Sequence, residues 1–172
     1  ILNLKNQIMK TVGIIGSGIS GLVTAKTLKE HGFTPIIFEK EAEVGGVWAS
    51  SRHYPGMTTQ NPKDTYAFSD YPMPDDYPEW PNGPQMQAYL DGYAIHFGIK
   101  STIQFNMTVE KVHQNKDESW TIKATQKMGD SKHTIVQHVD KLVICNGIFS
   151  EPFIPDYAGK EDFIAGGGQI CH

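Results

Sequence analysis

Six residues constrain this chain more than any others. Gly16-Ser17-Gly18-Ile19-Ser20-Gly21 spells G-x-G-x-x-G, a pattern that is weak alone and informative only between a strand and a helix. Here the surroundings fit. Thr11–Ile15 is a short apolar run, expected as a buried strand. From Ile19 the period becomes helical: Leu22, Ala25 and Leu28 recur at three-residue steps, Lys26, Lys29 and Glu30 lie outside, and Gly32 is a closing cap. Thr34–Glu39 is the next strand, with Ile36, Ile37 and Phe38 at its centre and Pro35 near its start, where a missing N–H is tolerated. Strand, glycine turn, helix and strand in this order make a βαβ unit with parallel strands and a right-handed crossover.

Each position of the motif has a physical task. Gly16 permits the tight turn. Gly18 lets backbone approach a pyrophosphate, whose charge meets helix N–H groups and the helix dipole. Gly21 lets helix and strand pack closely. Glu39, 18 residues past Gly21, is placed to accept hydrogen bonds from an adenosine ribose. The competing reading is a structural glycine turn followed by a solvated glutamate. Beyond Glu39 come five residues and then Gly45-Gly46. This E-x5-GG continuation resembles that of FAD-binding two-dinucleotide proteins more than that of plain NAD dehydrogenases, and paired glycines let backbone lie against a cofactor, although the doublet by itself also reads as a mere loop.

Composition narrows the class. The 172 residues suffice for one ordinary domain, with 39% hydrophobic and 20% charged residues. Fifteen Lys and Arg against nineteen Asp and Glu give −4, and no basic run or long apolar stretch points to nucleic acid or a membrane span. Cys145 and Cys171 cannot make a disulfide framework, which favours a reducing, cytoplasmic setting. The seven histidines are scattered, and His133 and His138 fall on opposite faces of one expected strand, so no metal site is expected. Residues 1–8 are expected to be a tail without signal-peptide grammar. The Gly166-Gly167-Gly168 end is expected to lead into a further element of a longer protein.

Residues 54–84 carry seven of the ten prolines together with Tyr54, Tyr66, Phe68, Tyr71, Tyr77 and Trp80. So many aromatics predict an irregular but packed segment rather than disorder. Pro84 opens a helix in which Met86, Tyr89, Leu90, Tyr93, Ala94 and Phe97 step by three and four, a core stripe closed by Gly98. After Gly98 the period is two. Ser101–Phe105, Thr108–Gln114, Ser119–Thr125 and Thr134–Val139 are expected strands, the last three an antiparallel meander, and Lys141–Cys145 is a further strand ending in Asn146-Gly147.

With Val47-Trp48 after the doublet, Gly13 to Trp48 resembles the FAD module of the flavin-containing monooxygenases and their Baeyer–Villiger relatives, the class B flavoprotein monooxygenases. Asn61-Pro62-Lys63-Asp64 with Asp70-Tyr71-Pro72 is similar to the family's N-x-x-[KR]-[DE] stretch and Asp-aromatic-Pro turn, and Cys145-Asn146-Gly147 to its A-T-G type crossing. The resemblance covers residues 10–172 and implies an α/β, Rossmann-like FAD-binding domain plus a small antiparallel β-meander. It implies residues 9–150 as that domain and 151–172 as the start of a linker to an NADPH-binding domain. By resemblance, FAD would lie against Gly16, Gly18, Ser20, Gly21, Glu39 and Lys40. Gly46, Val47, Trp48, Val109, Asn146 and Gly147 would complete its site. For Trp48 the residues leave two readings open, core packing or a wall of the flavin pocket.

The resemblance also implies a chemistry. NADPH reduces the flavin, O2 adds to give a C4a-hydroperoxyflavin, and an amine, a sulfide or, in Baeyer–Villiger enzymes, a ketone takes one oxygen atom. Asn61 is the candidate catalytic residue. In the family this asparagine lies over the flavin C4a region, where a fixed amide can hold a labile oxygen species without donating an acidic proton. The alternative for Asn61 is an Asx-turn before Pro62. Two departures weaken the Baeyer–Villiger reading: five residues, Ala49–His53, separate Trp48 from Tyr54-Pro55-Gly56, and Gln60 stands where an Asp is expected. N- or S-oxygenation is therefore favoured. The family's F-x-G-x-x-x-H fingerprint would fall on Gly166, Gly168 and His172, with glycine in place of the aromatic. Other possibilities are a different FAD-dependent oxidoreductase module or an inactive FAD-binding piece. Val47-Trp48 in place of an arginine argues against an amine oxidase, and the distance between Cys145 and Cys171 argues against a disulfide oxidoreductase. A homo-oligomer remains compatible.

Overall fold

Parallel pairing builds the centre of the computed structural model, which describes residues 10–149 and 153–170. β1 (Thr11–Ile15), β2 (Thr34–Phe38), β3 (Ile103–Gln104) and β7 (Lys141–Ile144) form a sheet in the order β3-β2-β1-β7, every pair parallel. α1 (Ile19–Glu30) is the crossover from β1 to β2. A second, antiparallel sheet has the order β4-β5-β6, formed by β4 (Met107–Gln114), β5 (Trp120–Met128) and β6 (Ser131–Val139). α2 (Lys63–Tyr66), α3 (Gly83–His96) and α4 (Lys160–Ala165) complete the regular elements. Thr11 and Asp140 fasten the starts of β1 and β7 together: Thr11 N–H donates to Asp140 Oδ2 at 2.7 Å and its hydroxyl donates at 2.9 Å. These bonds hold the Asp140 carboxyl below the ordinary aspartate range.

The sheet has two covered faces because its side chains alternate. Val12, Ile14 and Ile37 face one core with Leu22 and Ala25 of α1 and Met86, Leu90 and Tyr93 of α3. Ile36, Phe38 and Leu142 face the other, against Met107, Ile122, Ala124 and Val139 of the meander. At Gly13 the two sheets approach so closely that a Cβ would stand 2.7 Å from Ile122 Cδ1. The result is three layers: helices, parallel sheet and meander.

The Pro- and aromatic-rich segment packs against α3. Phe68 meets Tyr93 at 4.3 Å between ring centroids, and Tyr71 meets Tyr89 at 5.4 Å. The Tyr89 hydroxyl donates to the Tyr71 carbonyl and accepts from Phe68 N–H at 2.8 Å, and burial pushes its pKa up to about 12. Lys26 of α1 pairs with Asp70 at 2.7 Å and with Glu30 at 3.0 Å, joining this segment to the crossover helix.

Several boundaries differ from the sequence expectation: β5 runs on to Met128 and β6 begins at Ser131, so the hairpin between them is tighter than expected, and two further differences have a local cause. Ser101–Phe105 is not one strand: Lys100–Thr102 is a 3-10 turn and only Ile103–Gln104 pairs, with Ile37 and Phe38. The Thr102 hydroxyl donates to Ile99 O at 2.7 Å and stabilises the turn instead. α3 starts one residue before Pro84, because Asn82 forms a reciprocal cap with Gln85, each bond 3.0 Å long. Asn82→Ala should therefore lower unfolding free energy by about 1 kcal/mol, measured by urea denaturation. The expected tail at residues 1–8, and the fingerprint position His172 with Cys171, lie outside the described residues. Within the fingerprint, Gly168 follows α4, and a Cβ there would meet the Phe163 ring at 2.3 Å.

Candidate functional site

The carboxyl ends of β1, β2 and β7 meet at one cavity of about 470 Å³. The chain leaves β1 to one side through β2 and returns to its other side as β7, and such a reversal of strand order opens a crevice for ligands. Ile15 and Gly16 form the floor, Phe38 to Glu41 one wall, and Cys145 to Phe149 the opposite wall, with Met107, Thr108 and Val109 of β4 alongside. The expected cofactor residues line this cavity except for two, Gly21 and Trp48.

Gly21 has a supporting position. It is buried on the first turn of α1, and a Cβ there would stand 1.9 Å from the Gly16 carbonyl oxygen. The motif's third glycine thus lets the helix lie against its own turn. Gly16, at φ +100°, is likewise demanded by the fold, since a Cβ would stand 2.5 Å from Cys145 O.

Gly18 is different. It caps α1 in extended conformation, φ −75° and ψ −172°, which any residue adopts. The nearest atom to an added Cβ would be Gly46 Cα at 3.5 Å, an ordinary contact. Neither backbone strain nor protein packing requires glycine at this position. Gly18 lines the cavity at the start of α1, where the first-turn N–H groups lack partners within the helix. No acidic residue stands in that turn to neutralise them. The doublet lines the same cavity: Gly45 N–H donates to Ser17 O at 3.2 Å, and Gly46 packs against Gly18. An extended anionic ligand such as a dinucleotide pyrophosphate fits such a cradle.

Glu39 ends at the cavity with 5% exposure. Its Oε2 accepts from Ser17 N–H at 2.7 Å and Ser17 Oγ–H at 2.8 Å, and its Oε1 accepts from Glu41 N–H at 2.9 Å. A carboxylate has about four acceptor sites, so capacity remains for a ligand hydroxyl. The sequence did not signal Ser17 as the residue that fixes this carboxylate.

Trp48 belongs to the helical core, edge-to-face on Tyr66 with centroids 5.9 Å apart, although its indole N–H is buried without an acceptor. Asn61 is exposed and stands before α2, outside the cavity lining. The turn there is closed by Thr65 and Tyr66, which donate to Pro62 O, so the Asx-turn is not what shapes it. Among the described residues no group of three or more His, Cys, Asp or Glu could hold a metal ion, and no helix is long and apolar enough to cross a membrane.

The family model described as flavin-binding monooxygenase-like matches residues 9–172. The chain belongs to the flavin-binding monooxygenase-like family. Flavin-containing monooxygenase 5 of Rattus norvegicus is 32% identical over 168 residues, covering 90% of this chain and 31% of that protein. The chain therefore spans about a third of the length of such curated relatives. Among solved structures, S-allyl-L-cysteine S-oxygenase from Allium sativum superposes with TM-score 0.76 at 28% identity, over 87% of this chain and 39% of that one. Cyclohexanone monooxygenase in its open form shares the fold, with TM-score 0.73 at 24% identity over 86% of this chain and 29% of its own.

Proposed function

We propose that this chain is the FAD-binding part of an NADPH- and O2-dependent monooxygenase that oxygenates nitrogen or sulfur in small molecules. Gly18 carries the reading: it lines the cavity at the end of α1, where a Cβ would meet only the Gly46 backbone at ordinary contact distance, and this bare backbone supports a bound ligand. Residues 9–150 hold the adenosine, pyrophosphate and flavin of FAD, and residues 151–172 lead toward the nicotinamide half. Bound flavin would supply the redox chemistry, with two electrons from NADPH and one O2, one oxygen atom going to a soft nucleophile and the other to water. The chain's own residues do the rest. The α1 end and Gly18 seat the phosphates, Glu39 orients the ribose, and Gly46 and Val47 lie along the ligand. Sulfur oxygenation is the activity in the name of the Allium sativum relative, and Gln60, where Baeyer–Villiger enzymes are expected to carry Asp, supports the same choice.

Reconstitution tests this. The purified chain is expected to bind stoichiometric FAD with a perturbed flavin spectrum. NADPH should bleach that flavin anaerobically no faster than free FAD, because G-x-G-x-x-[GA] occurs once in the sequence. A folded chain that does not take up FAD would refute the assignment. Rapid bleaching would place a nicotinamide site within these residues.

A further inference from the structure

The cavity wall includes a cation that the glycine motif does not signal. Arg52 ends the short 3-10 turn Ser50–Arg52 and is half-buried on the lining. Its Nη1 donates to the Phe149 carbonyl at 3.3 Å, linking this turn to the Cys145–Phe149 wall. Arg52 pairs with no carboxylate among the described residues, although Glu41 lines the same cavity and accepts from Ser51 Oγ–H at 3.3 Å. A guanidinium carries five N–H donors in a rigid fork. One long bond to a neutral carbonyl leaves most of them free.

The turn beneath Arg52 is itself anchored, since Ser50 N–H donates to Glu43 Oε1, and hydrogen bonding from the Ser50 side chain and then its backbone holds the Glu43 carboxyl below the ordinary glutamate range. The other lining cation, Lys40, is exposed and follows Glu39, at the end of the cavity assigned to ribose. Glu39 is committed to Ser17 and Glu41 N–H. Among the charged side chains of the lining, Arg52 is thus the one with a fixed base and unspent donors.

We propose that Arg52 recognises the phosphates of the bound dinucleotide, exchanging the Phe149 carbonyl for phosphate oxygen. The proposal rests on the FAD reading above. Guanidinium-to-phosphate bonds are charge-assisted and stronger than a bond to a neutral carbonyl, so the exchange is favourable.

Titration of the chain with FAD, ADP and adenosine tests it, because ADP and adenosine differ in the phosphates alone. Arg52→Gln should weaken FAD and ADP by about tenfold or more while adenosine stays within about twofold of the unaltered chain, the range expected when no contact is lost. Raising salt should weaken FAD binding less steeply in Arg52→Gln, one cation having been removed. Arg52→Lys should fall between, keeping charge and losing the fork. Unchanged FAD and ADP binding in folded Arg52→Gln overturns the proposal. So does an equal loss for adenosine, which would mark a structural role through Phe149, or a loss that follows Lys40→Gln instead. If Arg52→Gln does not fold, Arg52→Lys decides by the same comparison of ADP with adenosine. Failure of the unaltered chain to bind all three ligands refutes the FAD reading itself, a result separate from any effect at Arg52.

Discussion

Gly18→Val should give a folded protein that stays colourless in FAD, whereas Gly21→Ala should be strongly destabilised. The two glycines belong to one motif and differ in what surrounds them. At Gly18 a Cβ meets nothing nearer than 3.5 Å, and the backbone is extended. The folded state therefore loses only about 1 kcal/mol, the difference expected between a glycine and an apolar residue at a helix N-cap. The valine methyls add bulk to the cavity lining at the start of α1. A phosphate kept away from two backbone N–H groups forfeits two charge-assisted bonds, each worth about 1.5–3 kcal/mol, so FAD affinity should fall by about 10²- to 10⁴-fold. At Gly21 a Cβ would stand 1.9 Å from the Gly16 carbonyl oxygen. Backbone must move to relieve that, at about 3 kcal/mol or more, a large fraction of a domain's stability. Circular dichroism, thermal melting and FAD titration on both variants check the pair. Gly18→Val retaining stoichiometric FAD would show that the cradle is misassigned. A stable, flavin-binding Gly21→Ala would show that the close helix–strand packing is not required.

In a protein carrying both nucleotide sites, Asn61→Ala should leave FAD binding and NADPH reduction near the unaltered values and divert oxygen into hydrogen peroxide. The proposed role is to hold activated oxygen beside the flavin until the substrate takes it. Loss of one preorganised donor of this kind costs about 10²-fold or more in the affected step. Stability should change by no more than about 0.5 kcal/mol, as for a surface position, because the side chain is exposed and the adjoining turn is closed by Thr65 and Tyr66. Peroxide released per NADPH consumed, measured beside the melting temperature, separates the outcomes. Unchanged coupling would remove Asn61 from the catalytic residues.

The βαβ unit, the meander and the glycine cradle were legible in the sequence because each is a local pattern. Periods of two and of three to four residues, an apolar run and a G-x-G-x-x-G can all be read without knowing what touches what. Legibility failed where a local signal was short or two structures shared it. Ser101–Phe105 alternates like a strand, yet the Thr102 hydroxyl bonds back to Ile99 O and leaves only Ile103–Gln104 to pair with β2. Trp48 is equally apt, by its chemistry, for a core or for a pocket wall.

Long-range packing settled the remainder. Parallel pairing of β1 with β7 sets Ile15 beside Ile144, residues far apart in the chain, and so brings Cys145–Phe149 to face the cradle. The same packing places Trp48 on Tyr66 rather than on the cavity, and Arg52 across from the Phe149 carbonyl. It also distinguishes three glycines that the motif spells alike, since a Cβ on two of them would collide with backbone carbonyls and on the third would only touch the Gly46 backbone at ordinary contact distance. That a dinucleotide-type turn would form was already written in the sequence, because a turn depends on neighbours in the chain. Which side chains would surround its ligand depended on the packing of distant segments, and no period or spacing encodes that.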